Sequence, residues 1–367
     1  MHPPLVLHFL GYDEDRGGVL TAIRRVAAEP GLEHRLVVNP GFAQRREPGL
    51  PVRLGPPVAA ETIAPGELWA TLRAALALLP EAQAGRAIVH GHSRAGTLVG
   101  WWLWLLGQGA VVVSPHCYGR QRWFYRWIGL CLGERCVWLS PAMKRYYGTG
   151  SAGWAGCIPE PAPPPSPRPT SRRRAPGHVI TLGGAGTLTP WKGWHLVLEA
   201  MARLSPAERA RFRFVHIGDA DGSSESAAYH AELQRITAQL GLSGQVEWRG
   251  WQPDSSGLLA EIDILLVPSV NEPMSLAGLE ALAAGVPLLV ADSGGLSDVI
   301  RPGVNALVFR TGRADDLADR LRALAGTDFL ARVAITSADL TLVATGQVAA
   351  AWRQRYAATD RDSSHVL

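Results

Sequence analysis

Short apolar, β-branched runs alternate with stretches of helical periodicity along most of the chain, which is the pattern of parallel sheets wrapped by helices. In the first half the runs predict strands at 5–10 (LVLHFL), 35–38, 87–90 (AIVH), 110–114 (AVVVS) and 136–139. In the second half they predict strands at 178–182 (HVITL), 212–217 (FRFVHI), 245–248, 263–267 (DILLV) and 287–291 (PLLVA). Between the two sets lies IPEPAPPPSPRPTSRRRAPG, residues 158–177. Its prolines cannot continue a helix or a central strand, so an extended linker is expected there. The expected organisation is an α/β N-terminal domain over 1–157, the linker 158–177 and a second α/β domain over 178–340. A helix over 341–357 is expected to cross back onto the first domain, followed by a frayed tail at 358–367. Both domains read as doubly wound sheets, with ligands expected in a cleft at their strand C-termini.

At 367 residues the chain is long enough for two cores, and 47% hydrophobic with 19% charged residues is a globular composition. A net charge of +4 suits an anionic ligand or membrane surface but lacks the dense basic face of a nucleic-acid binder. Of the 36 basic residues only Lys144 and Lys192 are lysines, which singles out any lysine in a loop. Cys117, Cys131, Cys136 and Cys157 have no metal-ligand spacing, so zinc is not expected and a reduced, cytoplasmic chain is. The apolar run Leu5 to Leu10 is too short for a signal peptide. Residues 97–113 are the one candidate membrane span, but Gly107, Gln108 and Gly109 interrupt it, and a buried helix followed by a strand is expected instead.

Candidate chemistry concentrates in 263–300, DILLVPSVNEPMSLAGLEALAAGVPLLVADSGGLSDVI. A buried strand runs into a loop holding Asn271, Glu272 and Pro273; a helix follows from about Met274 to Ala284, stopped by Gly285. At 100° per residue Glu280 falls on the face of Leu276, Leu279 and Ala283, and a carboxylate in an apolar stripe requires a partner. The vicinal hydroxyls of a ribose fit that requirement. Glu272 lies at the N-terminal mouth of the helix, where free amides and the helix dipole favour phosphate. The alternative is that Glu280 pairs with an arginine and Glu272 decorates a loop.

This segment resembles the E-x7-E signature of the family-four retaining glycosyltransferases, which have the GT-B fold of two doubly wound Rossmann-like domains with an interdomain cleft. The resemblance covers most of the second domain and, more weakly, the first. It implies that Glu272 contacts the sugar of a nucleotide diphosphate sugar and that Glu280 holds the ribose. It also implies that the amides of Met274, Ser275 and Leu276 lie near the phosphate and sugar. Ser275 stands where the family has glycine. Lys192, in GAGTLTPWKGWH, matches the family's K-G, whose cation faces the donor diphosphate. Thr187 stands where an arginine is expected. Gly17 and Gly18, in DEDRGGVLTAI, resemble the family's N-terminal glycine loop, where acceptor and diphosphate approach the backbone. His116, in VVVSPHCYG at a strand end, matches a position near the donor's anomeric carbon.

Two motifs point elsewhere. Asp219-Ala220-Asp221 is a D-x-D of the kind that binds metal in a different transferase fold, but no further ligand accompanies it. Gly91-His92-Ser93-Arg94-Ala95 resembles a hydrolase nucleophile elbow without its second glycine, and would make Ser93 a nucleophile. The expected activity is a retaining, metal-independent transfer of a sugar to a glycan or lipid-linked acceptor, in polysaccharide or glycolipid assembly. His116 and Glu272 are the expected catalytic residues, with no cofactor beyond the donor. A catalytically weak nucleotide-sugar binding protein is the alternative that Thr187 raises. Arginines and aromatics interleave over Arg120 to Cys131 (RQRWFYRWIGLC), which suits peripheral contact with the inner face of a membrane; the alternative is a half-buried helix with snorkelling arginines.

Overall fold

The computed structural model describes residues 3–15, 17–44, 49–60, 64–119, 121–150, 153–166, 178–326, 329–333 and 335–362. It divides the chain into two units, Met1–Pro161 with Leu342–Leu367, and Ala162–Thr341. Each unit is a parallel sheet between helical layers.

The first sheet has the order β3-β2-β1-β4-β5, formed by β1 (Leu5–Phe9), β2 (Glu33–Val38), β3 (Val52–Leu54), β4 (Ala87–Gly91) and β5 (Val111–Val113). Every pairing in it is parallel. Strand alternation sends Leu7, Phe9 and Val89 toward a core shared with Ala74, Leu78, Val99 and Leu103. Val6, Ile88 and Val112 face the opposite layer, with Val26, Trp352 and Tyr356. The stretch 97–113 divides into the end of the helix Arg94–Leu105 and β5, and among the described residues no helix is long and apolar enough to cross a membrane.

The second sheet, in the order β11-β10-β9-β6-β7-β8, joins β6 (Ile180–Ala185), β7 (Phe212–Ile217), β8 (Val246–Trp248), β9 (Ile264–Val267), β10 (Leu288–Ala291) and β11 (Ala306–Phe309). It too is parallel throughout. Its central strands read as continuous apolar runs because both faces are covered.

Four expectations need correction. Residues 136–139 form no strand, only isolated bridges from Cys136 to Val113 and from Trp138 to Cys157. The linker does not start at 158. Ile158 and Glu160 are buried, and Arg25 donates to the Pro161 carbonyl (3.0 Å), so 158–161 belong to the first unit; 167–177 lie outside the described residues. The C-terminal helix is Thr345–Asp362, longer than expected at the end once assigned to a tail, while 363–367 lie outside the described residues. Its Val348, Trp352 and Tyr356 are anchored in the first unit's core, and beyond the expected end Thr359 is buried too, its hydroxyl donating to the Arg355 carbonyl (2.9 Å). Finally, β3 and β11, both edge strands, have no counterpart among the predicted runs.

His216, at the end of β7, is wholly buried against the rings of Trp194 (4.5 Å between centroids) and Trp248 (5.2 Å). Neither ring nitrogen has a hydrogen-bond partner among the described residues. Burial, and after it the charges of His230 and Lys192, pull its pKa from 6.5 to about 3. Above pH 6.5 the imidazole is neutral in folded and unfolded chains alike; below it the unfolded chain binds the proton first. The stability difference between wild type and His216→Phe should therefore shift in the variant's favour as pH falls from 6.5 toward 3, measured by urea titration at several pH values. A pH-independent difference would rule out a neutral His216.

Candidate functional site

The sequence-predicted residues divide between the units. Gly17, Gly18 and His116 belong to the first, and Lys192, Glu272, Met274, Ser275, Leu276 and Glu280 to the second.

In the second unit two loops meet. One follows β9 through Pro268, Ser269 and Asn271 to Glu272. The other is the short 3-10 turn Pro190–Lys192, which opens the helix Trp194–Ala202. The Val270 amide donates to the Trp191 carbonyl (2.8 Å), tying the loops together. Gly193 has φ 74, and a Cβ on it would lie 2.4 Å from the Pro268 carbonyl oxygen. Only glycine permits both that backbone conformation and that approach. Lys192 Nζ then reaches Glu272 Oε2 at 2.6 Å and lies 4.3 Å from the centre of the Trp191 ring. Both charged side chains are largely buried, at 16% and 8% exposure, so the pair is held in a medium where charge interactions are strong.

A third loop, Ser293-Gly294-Gly295, clamps the backbone of Glu272. The Gly295 amide donates to the Glu272 carbonyl (2.9 Å), and a Cβ on Gly294 (φ 80) would sit 2.0 Å from that same oxygen. The Ser293 hydroxyl donates to the Ser269 carbonyl and accepts from the Asn271 amide, each at 3.1 Å. Asn271 carries the positive φ of 56 that turns the chain toward Glu272. Asn271, Ser293 and Trp191 are thus part of the framework. Trp191 carries no motif signal of its own in the sequence, although it adjoins the singled-out lysine.

The helix after Glu272 is Leu276–Ala283, shorter than expected at its start because Ser275 is its N-cap, its hydroxyl accepting from the Gly278 amide (3.2 Å). The serine that departs from the family's glycine thus has a structural task. Glu280 does not lie in the apolar stripe. The fully buried face is Gly278, Leu279, Ala281, Leu282 and Ala283, whereas Glu280 shares a half-exposed edge with Leu276 and Ala284. The 100° projection measured angle but not the depth at which the helix sits. The Ser255 hydroxyl donates to Glu280 Oε2 at 2.6 Å, a partner that no sequence spacing signalled. Thr187 is half-buried, and its carbonyl accepts from Trp194 Nε1 (3.0 Å).

In the first unit Gly17 (φ 91) caps the helix Gly18–Ala27, and a Cβ there would meet nothing within 4 Å. His116 Nδ1 contacts Glu160 Oε1 at 2.7 Å, and its Nε2 approaches His92 Nδ1 at 3.1 Å. Ser93 is buried and caps the helix Arg94–Leu105 by accepting from the Gly96 amide (3.0 Å), a structural use of the hydroxyl that the hydrolase reading assigned to nucleophilic attack. Asp219 accepts from the Ala220 amide, and Asp221 from the amide and hydroxyl of Ser223, so both carboxylates shape their own loop.

Residues 174–334 match the family Glycosyl transferases group 1. The chain is 32% identical over 166 residues to a D-inositol 3-phosphate glycosyltransferase of Stackebrandtia nassauensis, covering 43% of this chain and 37% of that protein. It is 30% identical over 139 residues to a 2-deoxystreptamine glucosyltransferase of Streptomyces kanamyceticus, covering 37% of this chain and 34% of that one. The matched segments therefore span little more than a third of these relatives. Among solved structures, that of HepE from Anabaena in complex with UDP and glucose superposes with a TM-score of 0.72 at 17% identity, covering 97% of this chain and 100% of that one. Two parallel α/β units in this order give the chain the GT-B fold, and its second unit matches the Glycosyl transferases group 1 family over 174–334.

Proposed function

We propose that the chain moves a sugar from a nucleotide diphosphate sugar to a glycan or lipid-linked acceptor, with retention at the anomeric carbon and without a metal on the diphosphate. The observation that carries this reading is the Lys192–Glu272 pair at the mouth of the helix Leu276–Ala283, fixed from both sides by loop backbone. A preorganised cation beside a helix N-terminus stabilises the charge that develops on a departing diphosphate. The bond from the anomeric carbon to the diphosphate oxygen breaks, and one to an acceptor hydroxyl oxygen forms as that hydroxyl passes its proton to an oxygen of the departing diphosphate. Glu272 holds Lys192 before the donor arrives and turns to a sugar hydroxyl afterwards. Glu280, at its half-exposed edge, is placed to exchange or share its Ser255 contact with the ribose hydroxyls. In HepE the bound ligands are UDP and glucose, which supports a uridine donor as the first to test.

A thermal-shift screen against UDP-, GDP-, ADP- and dTDP-sugars should raise the melting temperature with one nucleotide class. Stabilisation by none of them would remove the donor-site reading. Glu280→Ala should weaken nucleotide binding roughly 10–100-fold, the size expected for a lost hydrogen bond to a charged group, measured by calorimetry. Lys192→Ala should lower turnover about 10²–10³-fold with a smaller change in donor affinity. Donor-free melting curves of both variants separate these effects from loss of folding.

Trp123 (68% exposed) and Leu130 (64%) project from the helix Arg122–Leu132. Two large apolar side chains facing water support peripheral membrane contact over the snorkelling alternative; Arg120 itself lies outside the described residues. Sedimentation with phosphatidylglycerol vesicles should retain the wild type and release Trp123→Ser/Leu130→Ser. Equal retention of the two would overturn it.

A further inference from the structure

Five histidines converge in the first unit although no motif spaces them for that purpose. His8 on β1 stands in register with His90 on β4, and His92 follows β4 by one residue. The sheet order reverses direction between these two strands, since β2 and β3 continue from β1 on one side and β5 continues from β4 on the other. Their C-terminal ends are thus at the switch point where doubly wound sheets hold ligands. His8, His90 and His92 are all but inaccessible, with 2%, 1% and 4% exposure. One ring nitrogen from each lies within 4.8 Å of the others.

The surrounding hydrogen bonds orient these rings. Glu160 Oε1 lies 2.7 Å from His116 Nδ1, and a carboxylate accepts, so Nδ1 carries the proton of a neutral His116 ring and its Nε2 accepts. His92 Nδ1, 3.1 Å from that Nε2, is then the donor, which leaves His92 Nε2 as a lone pair. That lone pair accepts from His8 Nδ1, 2.8 Å away, so ligation by His8 Nδ1 takes the tautomer of His8 whose proton is on Nε2, donated to His34 Nδ1. The other nitrogen of His8 is engaged by His34 (2.8 Å); His90 Nδ1 meets the Tyr356 hydroxyl (2.7 Å) and His90 Nε2 the Ser114 hydroxyl (2.8 Å). An ion among these rings would replace the His8–His92 hydrogen bond and one of the two His90 contacts, while His34, His116 and a hydroxyl go on orienting the rings from outside, as a metal-binding imidazole set requires. A cavity of about 20 Å³ borders the same rings, with His116 and Glu160 in its wall, which is room for one water-sized ligand.

We propose that His8, His90 and His92 bind one divalent transition-metal ion of the zinc class, with water from the adjoining cavity in the fourth position. An all-imidazole set excludes magnesium and calcium, which take oxygen ligands. Metal–nitrogen bonds of about 2.0–2.1 Å in tetrahedral geometry require His8 Nδ1 and His92 Nε2 to part to about 3.3 Å, a movement that small ring rotations supply. Desolvation already keeps all three imidazoles neutral, the form in which they ligate. The ion joins the ends of β1 and β4 in the first unit, and its test reads metal binding directly, so its failure and that of the sugar-transfer reading are distinguishable.

The test uses the full chain, stripped with chelator and titrated with Zn²⁺ against a chromophoric competitor, then with Co²⁺ under visible absorption. One equivalent of zinc bound, with the intense d–d bands of four- or five-coordinate cobalt, is the expected result. His90→Gln/His92→Gln should abolish both signals. His34→Gln, which alters only an outer partner, should keep one equivalent and weaken it about 10–100-fold. No stoichiometric uptake by the wild type, cobalt bands of octahedral type, or unchanged uptake by the double variant would overturn the site. Should the double variant fail to fold, stoichiometry and cobalt geometry in the wild type decide alone.

Discussion

The loop cluster around Lys192 and Glu272 depends on backbone approaching backbone more closely than any side chain allows. The Glu272 carbonyl sits where a Cβ on Gly294 would be, and the Pro268 carbonyl sits against Gly193 in the same way. These two contacts fix the loops on which Glu272 and Lys192 stand, and so determine that the charges meet at 2.6 Å. A long lysine loses considerable rotamer freedom when it is held in one geometry. Here the loops and the Trp191 ring restrict it before any ligand arrives, so less ordering remains for the binding step.

Both units pair opposite charges away from water, Lys192 with Glu272 in the second and Arg24 with Asp15 in the first. In the first, a run of imidazoles from His34 through His8, His92 and His116 ends on Glu160. Before any ion binds, each ring can donate at one nitrogen and accept at the other, so the run satisfies itself. This arrangement requires fixed tautomers, and Glu160 is the group that sets them. Its position in a proline-rich stretch that sequence reading assigned to a linker concealed that part.

The main strands were legible because burial on both faces leaves an uninterrupted apolar run, as in DILLV and AVVVS. β3 and β11 were not, since a short edge strand is only partly covered and carries a weak pattern; Leu54 on β3 is 58% exposed. CVWL at 136–139 has strand composition, yet the chain there makes only single bridges. Lys192 stood out because the rest of the chain uses arginine, and Glu272 and Glu280 because of the residues around them. The depth of Glu280 was not legible, because helical angle fixes direction around the axis and says nothing of how far the axis lies from water. The histidine cluster was hidden for another reason. His8 and His92 lie 84 residues apart in sequence, and only the pairing of β1 with β4 brings them together.

The C-terminal helix has a consequence for the order of folding. Tyr356 bonds His90, and Trp352 packs on the same ring at 4.6 Å, so the first unit's core is closed by the last helix of the described chain. During synthesis from the N-terminus the second unit emerges whole while the first still lacks a wall. The nascent first unit must therefore wait, with β1 and β4 laid down and their histidines open to solvent, until the ribosome releases the helix that seals them.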